Sequence, residues 1–365
     1  MMLILAYISL VFLGLRFLVV LVNFLFHFNS GKVTCREEPK ISVLIPARNE
    51  ENHIGRILNC LLEQDYQNLE VLVCNDHSTD RTPKILEEYA TNHAKIDWFK
   101  GKDLAPGWTG KNFACHQLAA RASGEILLFL DADMEIHGDI ISSMAAWMHK
   151  KDLALLSIFP RQILRTPGER ATVPVMNWIL LSLLPLPLVY LSRRSSFSAA
   201  NGQFMMFKNN VYHKLKPHAI VRSSPVEDIE IMRIYKQNAF RCATLTGDKR
   251  VQCRMYAGYG EAIRGFSKNV LHFFSGNLLW LLFYMIFTSF GLLFVALWSL
   301  PHFFFALGVA ILSRVLIFLA SQQHAFLNLL WVPVQQVSFF RMVFLALCQK
   351  SKGSLEWKER KIELK

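Results

Sequence analysis

The sequence predicts an α/β protein with a doubly wound, mostly parallel sheet and with membrane-spanning helices at both ends of the chain. Short apolar runs bounded by turn residues alternate with segments of helical periodicity between residues 38 and 270, as in repeated strand–helix–strand units. Several of these runs end directly at charged residues. Apolar segments long enough to cross a bilayer lie before and after this region.

Residues 125–133 (EILLFLDAD) are the centre of this prediction. The run Ile126–Leu130 is continuously apolar, which is typical of a strand buried on both faces, and it ends at Asp131 and Asp133. Ligands of open α/β sheets bind beyond the carboxyl ends of the strands. Two adjacent carboxylates there predict a site for Mg²⁺ or Mn²⁺ completed by phosphate oxygens. The motif alone fits a helix N-cap with a solvated neighbour equally well.

Three further apolar runs, each followed by a helical segment, extend the predicted sheet. The runs are residues 41–46, 69–74 and 96–99, and the helices cover residues 49–63, about 79–92 and 111–122. Polar side chains lie at the ends of these runs and in the loops: Arg48, Glu50, Asp76 and Lys111. Strand ends of such a sheet meet at one crevice, so we expect these groups to gather beside the two aspartates. Each of them alone also fits a helix-start acid, an Asx-turn or a solvated loop charge.

The N-terminal segment predicts a retained membrane anchor over residues 1–30. Residues 2–26 are apolar apart from Arg16, and Lys32, Arg36 and Lys40 follow. The excess of positive charge after the segment predicts an outer N-terminus and a cytoplasmic domain.

The C-terminal region predicts two more spans, at residues 277–300 and 301–320, within a membrane or interfacial region of residues 271–349. Polar residues interrupt residues 322–348, which we therefore expect to be re-entrant or interfacial, with a basic cytoplasmic tail at residues 350–365. Four spans are the alternative to three. Arg16 and Arg314 lie at mid-depth, where they either engage an anionic acceptor group or snorkel or pair with a carbonyl.

Residues 171–194 are apolar but contain three prolines, which predicts an interfacial segment on the membrane surface. An ordinary pair of buried helices is the alternative. The formal net charge of +12 suits an anionic membrane better than a nucleic acid, because no nucleic-acid-binding motif accompanies it. The seven cysteines have no metal-binding spacing and predict reduced thiols, with Cys60, Cys74 and Cys115 buried.

Four motifs in order resemble the inverting family 2 glycosyltransferases of the GT-A fold, over residues 40 to about 250. They are residues 46–51 (PARNEE), 75–82 (NDHSTDRT), 131–133 (DAD) and 226–228 (VED). Asn75 departs from the family, most of whose members have Asp at that position. The Gln-x-x-Arg-Trp motif of polymer-forming synthases is absent, and residues 264–269 stand in its place, which implies the addition of a single sugar.

The resemblance implies a role for each motif residue. The donor residues would be Asp76 for the nucleoside, Pro46, Arg48 and Glu50 around the base and ribose, and Asp131 at the ribose and the metal shell. The metal residue would be Asp133, and Lys111 is the candidate cation for the leaving diphosphate. The general base would be Asp228, with Glu227 as its alternate. The acceptor residues would be Asn201, Gly202 and Gln203. Arg264 and Lys268 either close over the diphosphate or acceptor or contact lipid phosphates.

Residues 106–111, 264–269 and 356–358 are similar to membrane glycosyltransferases associated with carotenoid and hopanoid pathways. The expected protein is a multi-pass enzyme of the cell membrane with a cytoplasmic GT-A domain at residues 38–270. It would transfer one sugar from a UDP- or GDP-sugar to a hydrophobic lipid, with inversion and with Mg²⁺ or Mn²⁺. A polyprenyl-phosphate glycosyltransferase and a catalytically silent membrane scaffold are the alternatives.

Overall fold

The computed structural model describes residues 1–26, 38–352, 354–357 and 360–363, which fold into two compact units. The sheet unit comprises residues 38–161 and Leu186–Arg254. The helical unit comprises the N-terminal helix, Gln162–Pro185 and the chain from Met255 onwards.

The strands of the described chain are β1 (Ile41–Ala47), β2 (Leu69–Asn75), β3 (Ile96–Lys100), β4 (Ile126–Leu130), β5 (Met134–Ile136), β6 (Leu155–Phe159), β7 (Arg161–Gln162), β8 (Phe204–Lys208), β9 (Cys242–Thr246), β10 (Val251–Cys253), β11 (Ser354–Trp357) and β12 (Arg360–Glu363). Seven of them form the main sheet, in the order β3-β2-β1-β4-β8-β6-β9. All pairs in it are parallel except those of β8, which runs opposite to both of its neighbours. The predicted doubly wound, mostly parallel α/β sheet is confirmed.

The helices are α1 (Met2–Leu25), α2 (Ile54–Leu62), α3 (Thr82–Asn92), α4 (Gly110–Arg121), α5 (Ile140–Lys151), α6 (Pro167–Thr172), α7 (Pro174–Leu183), α8 (Pro187–Leu191), α9 (Asn209–Leu215), α10 (Pro217–Ile220), α11 (Glu227–Gln237), α12 (Tyr259–Ser267), α13 (Leu278–Ser289), α14 (Gly291–Trp298), α15 (Leu300–Ala320), α16 (Ala325–Leu330) and α17 (Val332–Lys352). A short 3₁₀ helix covers His272–Phe274.

The centre of the main sheet is built from the two most apolar runs of the sequence. All five residues of β4 are buried, as are six of the seven in β1, and the two strands pair in parallel from Ile41 opposite Ile126. Helices cover both faces of such a sheet, so neither strand needs a polar side. Both strands therefore end at the same edge, where their polar residues follow.

The helices of the apolar regions have other bounds than the predicted segments. Residues 277–300 are divided at Phe290 into α13 and α14 and are not one continuous helix. Residues 322–348 lie largely in α17, of which Val332–Lys350 is long and apolar enough to cross a membrane. Their re-entrant or interfacial position stays a prediction. Two polar side chains of α17 make internal contacts: Gln335 donates to the Arg170 carbonyl (3.0 Å) and Gln336 to Ser289 Oγ (2.7 Å).

The proline-rich residues 171–194 contain the end of α6 and the helices α7 and α8, and their interfacial position stays a prediction. Pro174 and Pro187 begin these helices, at positions where proline needs no hydrogen-bonding partner for its nitrogen. Six of the ten residues of α7 are buried, among them Trp178 and Ile179, and α7 packs against α1 and α15 within the helical unit. For α7 the structure favours the buried-helix alternative.

Gly124 fixes the start of β4 against β1. Its N–H donates to Ser42 Oγ at 2.8 Å, and a Cβ at this position would lie 2.6 Å from the Ser42 nitrogen and 2.7 Å from the Lys40 carbonyl oxygen. Two of these obstacles are backbone atoms, which cannot rotate away. The position therefore excludes any side chain.

We expect Gly124→Ala to lower the free energy of unfolding by about 1–3 kcal/mol, because the β1–β4 pair must shift to admit a methyl group. Thermal unfolding of the detergent-solubilised protein measures the loss. Gly258→Ala is the matched control, since no atom lies within 4 Å of its added Cβ. Equal melting temperatures for the two variants would contradict the prediction.

Candidate active site

The ends of β1, β2 and β4, the start of β8 and the start of α11 place the predicted side chains in one cluster, the strand-end cluster. We define it as Arg48, Glu50, Asp76, Lys111, Asp131, Asp133, Gly202, Gln203, Glu227 and Asp228. All of these residues belong to the sheet unit. Hydrogen bonds, ion pairs and electrostatic interactions connect them in groups.

The loops after β1 and β2 hold each other. Pro46 and Ala47 pair with Cys74 and Asn75, and Arg48 Nη1 then donates to the Asp76 carbonyl oxygen at 2.7 Å. The Asn49 N–H donates to Ser78 Oγ (3.0 Å), and Asn49 Oδ1 accepts from the Thr79 N–H (2.9 Å). The two loops thus form one rigid rim beside the buried Asp76.

Both loops turn through left-handed backbone conformations, at Asn49 (φ 52°) and His77 (φ 53°). Asparagine and histidine both adopt this region more readily than most residues do. Asn75 supports the second turn, because its Oδ1 accepts from the Ser78 N–H at 3.0 Å. An amide oxygen is sufficient for this bond, so the departure from Asp at position 75 leaves the turn intact.

Lys111, near the N-terminus of α4, lies between two acidic elements. Its Nζ is 2.9 Å from Asp131 Oδ1, at the end of β4, and 3.2 Å from Glu227 Oε1, at the start of α11. Burial opposes the charge of the amine, but the two carboxylates outweigh it and raise the pKa of Lys111 well above its ordinary value. Lys111 therefore carries a fixed positive charge at the centre of the cluster.

Gly202 allows the start of β8 to approach this lysine closely. A Cβ on Gly202 would lie 3.1 Å from both Lys111 Nζ and Glu227 Oε1. The Gly202 N–H donates to Asp228 Oδ2 at 3.0 Å, and the Ile229 N–H donates to Asp228 Oδ1 at 2.8 Å. Burial, and then the charge of Glu227, raise the pKa of Asp228 to about 7 despite these two bonds.

Asp133 occupies the other side of the cluster. Burial, followed by the charges of Asp131 and Glu50, raises the pKa of Asp133 to about 6. Gln203 Nε2 lies 3.4 Å from both Asp133 oxygens and 2.9 Å from Cys253 Sγ. Gln203, predicted as an acceptor residue, is thus beside the predicted metal ligand.

The oxygen atoms around Asp133 suit a hard cation whose coordination a substrate completes. No three His, Cys, Asp or Glu side chains in the described part of the chain are grouped to hold a metal by themselves. However, Gln203 Oε1 is buried beside Asp133 and accepts no hydrogen bond from the described residues. Carboxylate and amide oxygens together with diphosphate oxygens suit Mg²⁺ or Mn²⁺, which usually bind through one or two carboxylates plus phosphates.

Two neighbours of the cluster were not predicted from the sequence. His53 Nδ1 lies 3.0 Å from Glu50 Oε2, and this hydrogen bond raises the pKa of His53. The spacing of three residues at a helix start is the signal that could have indicated it. The side chain of Asn112 donates to the carbonyls of Val221 and Ser224, which anchors the segment leading to Glu227. Nothing in the local sequence indicates that contact.

The remaining predicted residues lie at the edge of β8 or in the helical unit. Asn201 Oδ1 accepts from the Gln203 N–H at 2.8 Å, and the Asn201 N–H donates to Ser157 Oγ, so Asn201 shapes its own loop. Arg264 is in α12 and Lys268 directly follows it, both in the helical unit. Their closing role stays a prediction.

Known proteins resemble this chain in sequence and in fold. The model of the family described as "Glycosyl transferase family 2" matches residues 42–216. The chain is 28% identical to a 4,4'-diaponeurosporenoate glycosyltransferase of Staphylococcus haemolyticus and 25% identical to one of Staphylococcus aureus, in each case over 63% of this chain and 60% of the relative. The aligned part thus spans about three fifths of the length of these curated relatives.

A solved structure is similar over nearly the whole chain. The mannosyltransferase PcManGT from Pyrobaculum calidifontis, in complex with GDP-Man and Mn²⁺, aligns with a TM-score of 0.56 at 18% identity, covering 95% of this chain and 99% of its own. At this identity the likeness concerns the fold, which is GT-A-like. Residues 42–216 thus match the model of glycosyl transferase family 2, within a chain whose fold is GT-A-like.

Proposed function

We propose that the protein is a membrane-bound inverting glycosyltransferase that moves one sugar from a nucleotide-sugar to a hydrophobic lipid acceptor. The observation that carries the proposal is the arrangement around Lys111. A fixed cation, two carboxylates suited to a metal and a partly protonated carboxylate at the start of α11 lie in one cluster. A displacement at an anomeric carbon requires stabilisation of the leaving diphosphate and a base for the attacking group.

The donor side uses the rim and the aspartates. Asp76 and the loop of Pro46, Arg48 and Glu50 would line the nucleoside, beside the end of β1. Asp133, with Asp131 and Gln203 Oε1, would hold a divalent cation, which when bound would neutralise diphosphate charge. Asp131 and Glu227 keep Lys111 protonated, so that its amine can also offset charge on the departing nucleotide.

The acceptor side uses Asp228. The N–H groups of Gly202 and Ile229 fix the orientation of its carboxylate, and a pKa near 7 suits a general base at neutral pH. Asp228 would remove the proton of an acceptor hydroxyl as that oxygen attacks C1 and the bond from C1 to the diphosphate breaks. This single displacement inverts the anomeric centre. Glu227, which pairs with Lys111, is less suited to this role.

The lipid nature of the acceptor is supported by the apolar helices and by the relatives. Among the described residues, three helices are long and apolar enough to span a membrane: Met2–Leu25, Leu300–Ala320 and Val332–Lys350. The bent pair Tyr259–Phe274 and Leu278–Ser289, at 107°, would make a fourth. The matched relatives are named for a carotenoid carboxylate, diaponeurosporenoate. We therefore propose a carotenoid-like or similar apolar acceptor.

The charges favour three spans and a cytoplasmic sheet unit. Lys32, Arg36 and Lys40 follow α1, the residues 321–331 between α15 and α17 contain no Lys or Arg, and five basic residues lie between 350 and 361. Three crossings place both basic regions in the cytoplasm, in agreement with the positive-inside rule. Four would place the tail outside.

We expect the rate of transfer to a hydroxyl acceptor to rise with pH and to level off above about pH 7, since the base acts only when deprotonated. Asp228→Asn should remove this rise and lower kcat by about 10²–10⁴-fold. The measurement is kcat against pH with UDP- and GDP-sugars and extracted membrane lipids. The matched control is Glu230→Gln, an acid in the same helix turn.

An unchanged rate in Asp228→Asn would contradict the assignment of the base. If Glu227→Gln alone abolished transfer, the base would be Glu227. A carboxylate acceptor, already ionised at neutral pH, would show only a small effect of Asp228→Asn. Absence of turnover with every donor and lipid, in a protein that also fails to bind nucleotide-sugars, would instead indicate a catalytically silent scaffold.

We expect EDTA to abolish transfer and Mn²⁺ or Mg²⁺ to restore it, because the two aspartates and the diphosphate complete the ion's coordination. Asp133→Asn should weaken Mn²⁺-dependent binding of the nucleoside diphosphate at least tenfold, as measured by calorimetry. The exposed Asp65→Asn serves as the control. Full activity in EDTA would refute the metal site.

We expect Lys111→Met to lower the free energy of unfolding by about 1–3 kcal/mol, since it leaves Asp131 and Glu227 facing each other in a partly buried site. Adding Glu227→Gln should recover part of this loss, because it removes one of the two opposing charges. Thermal unfolding of the single and double variants measures the coupling. Additive effects would show that Lys111 and Glu227 do not interact.

A further inference from the structure

Two arginines lie inside the apolar helices of the helical unit. Arg16 is in α1 and Arg314 is in α15, each 14 positions after the first residue of its helix, about 20 Å along the axis. Neither helix contains an acidic residue, and neither arginine forms an ion pair with the described residues. Charges at this depth are costly and mark functional sites by default.

The two guanidinium groups converge on one aromatic pair. Arg314 Cζ lies 4.1 Å from the ring centre of Trp178, and Arg16 Cζ lies 5.0 Å from that of Tyr284. Trp178 and Tyr284 stack on each other, with ring centres 5.6 Å apart and planes at 14°. Arg16 Cζ is also 5.8 Å from the Trp178 ring. Two like charges thus share a single, fully buried pair of rings.

The hydrogen-bond donors at this place exceed the acceptors. Arg16 donates to Ser182 Oγ from Nε (3.2 Å) and Nη2 (3.0 Å), and Nη2 is 3.3 Å from Tyr284 Oη. Arg314 Nη1 and Trp178 Nε1 are buried and have no hydrogen-bond partner among the described residues. Contacts with the rings attract the cations but give these N–H groups no acceptor.

We propose that Arg16, Arg314 and Trp178 form a binding site for the anionic head of an apolar molecule. A carboxylate or a phosphate offers several oxygen acceptors to guanidinium and indole N–H groups and neutralises the repulsion between the arginines. A hydrophilic ion would have to enter among apolar helices, whereas an apolar tail can lie on exposed side chains of α1 and α15, such as Leu15 and Leu312. The ligand class is therefore a lipid-like acid or phosphate.

The test measures binding alone, in the full chain solubilised in detergent. The probe is cis-parinaric acid, a polyene fatty acid whose fluorescence increases in an apolar site, and its methyl ester is the neutral comparison. We expect saturable binding of the acid, at least tenfold tighter than of the ester. Hexadecanoate and hexadecyl phosphate compete at equal concentrations, and the stronger competitor identifies the head group. Hexadecanol should not compete.

Arg16→Gln and Arg314→Gln should each weaken binding of the acid at least tenfold without changing that of the ester. The matched control is Arg341→Gln. Arg341 belongs to another long helix, α17, and lies over the ring of Tyr259. Trp178→Phe keeps an aromatic ring at this position but removes the indole N–H, so it tests the site if an arginine variant does not fold. We expect it to weaken acid binding several-fold.

Equal affinity for the acid and the ester would overturn the proposal, as would unchanged affinity in both arginine variants. Loss of binding in Arg341→Gln to the same extent would show a general charge effect and would also overturn it. No nucleotide-sugar or turnover enters this experiment. Its failure would therefore leave the proposed transferase reaction intact, and failure of the transferase assay would leave the anion site intact.

Discussion

The strand-end cluster depends on the position of one positive charge. Lys111 connects the end of β4 to the start of α11, because its amine contacts Asp131 on one side and Glu227 on the other. Without it, these carboxylates would repel each other and the neighbouring Asp133 and Asp228, whose own charges burial already disfavours. The missing Cβ of Gly202 makes room for this contact. The proposed donor and acceptor sides are thus linked electrostatically through one side chain, which stabilises the folded cluster and influences the protonation of its carboxylates.

The rim beside the cluster is rigid for a different reason. Asn49 and His77 both adopt left-handed backbone conformations, and the loops that contain them exchange hydrogen bonds through Asn49, Ser78 and Thr79. Each conformation alone is disfavoured, and each persists because the opposite loop constrains it. A nucleoside would meet a surface that needs little further ordering, which reduces the entropic cost of binding.

The parts of this architecture that could be predicted from the sequence are those encoded locally. The apolar runs at β1, β2 and β4 and the polar residues that follow them are visible in the sequence, so the sheet and the gathering of Lys111, Asp131 and Asp133 could be foreseen. Asp228 is indicated only by the resemblance to a known family. The contact of Lys111 with Glu227 could not be foreseen, because it joins residues more than a hundred positions apart in the chain. The same holds for Gln203, whose position beside Asp133 follows from the antiparallel direction of β8. The internal hydrogen bonds of Gln335 and Gln336 in α17 could not be foreseen either, since hydropathy does not indicate the partner of a polar side chain.

The path of the chain between the two units has a consequence for any attempt to isolate the sheet unit as a soluble fragment. Residues Gln162–Pro185 leave the sheet unit after β6 and belong to the helical unit, and the chain then returns at Leu186. Removing α1 and everything after Arg254 would therefore not remove all of the apolar helices. The fragment would retain α7 without the helices that cover it. Its residues Trp178, Ile179 and Leu181 would then form an exposed apolar patch that favours aggregation. A soluble fragment would therefore also need a short polar linker in place of residues Gln162–Pro185.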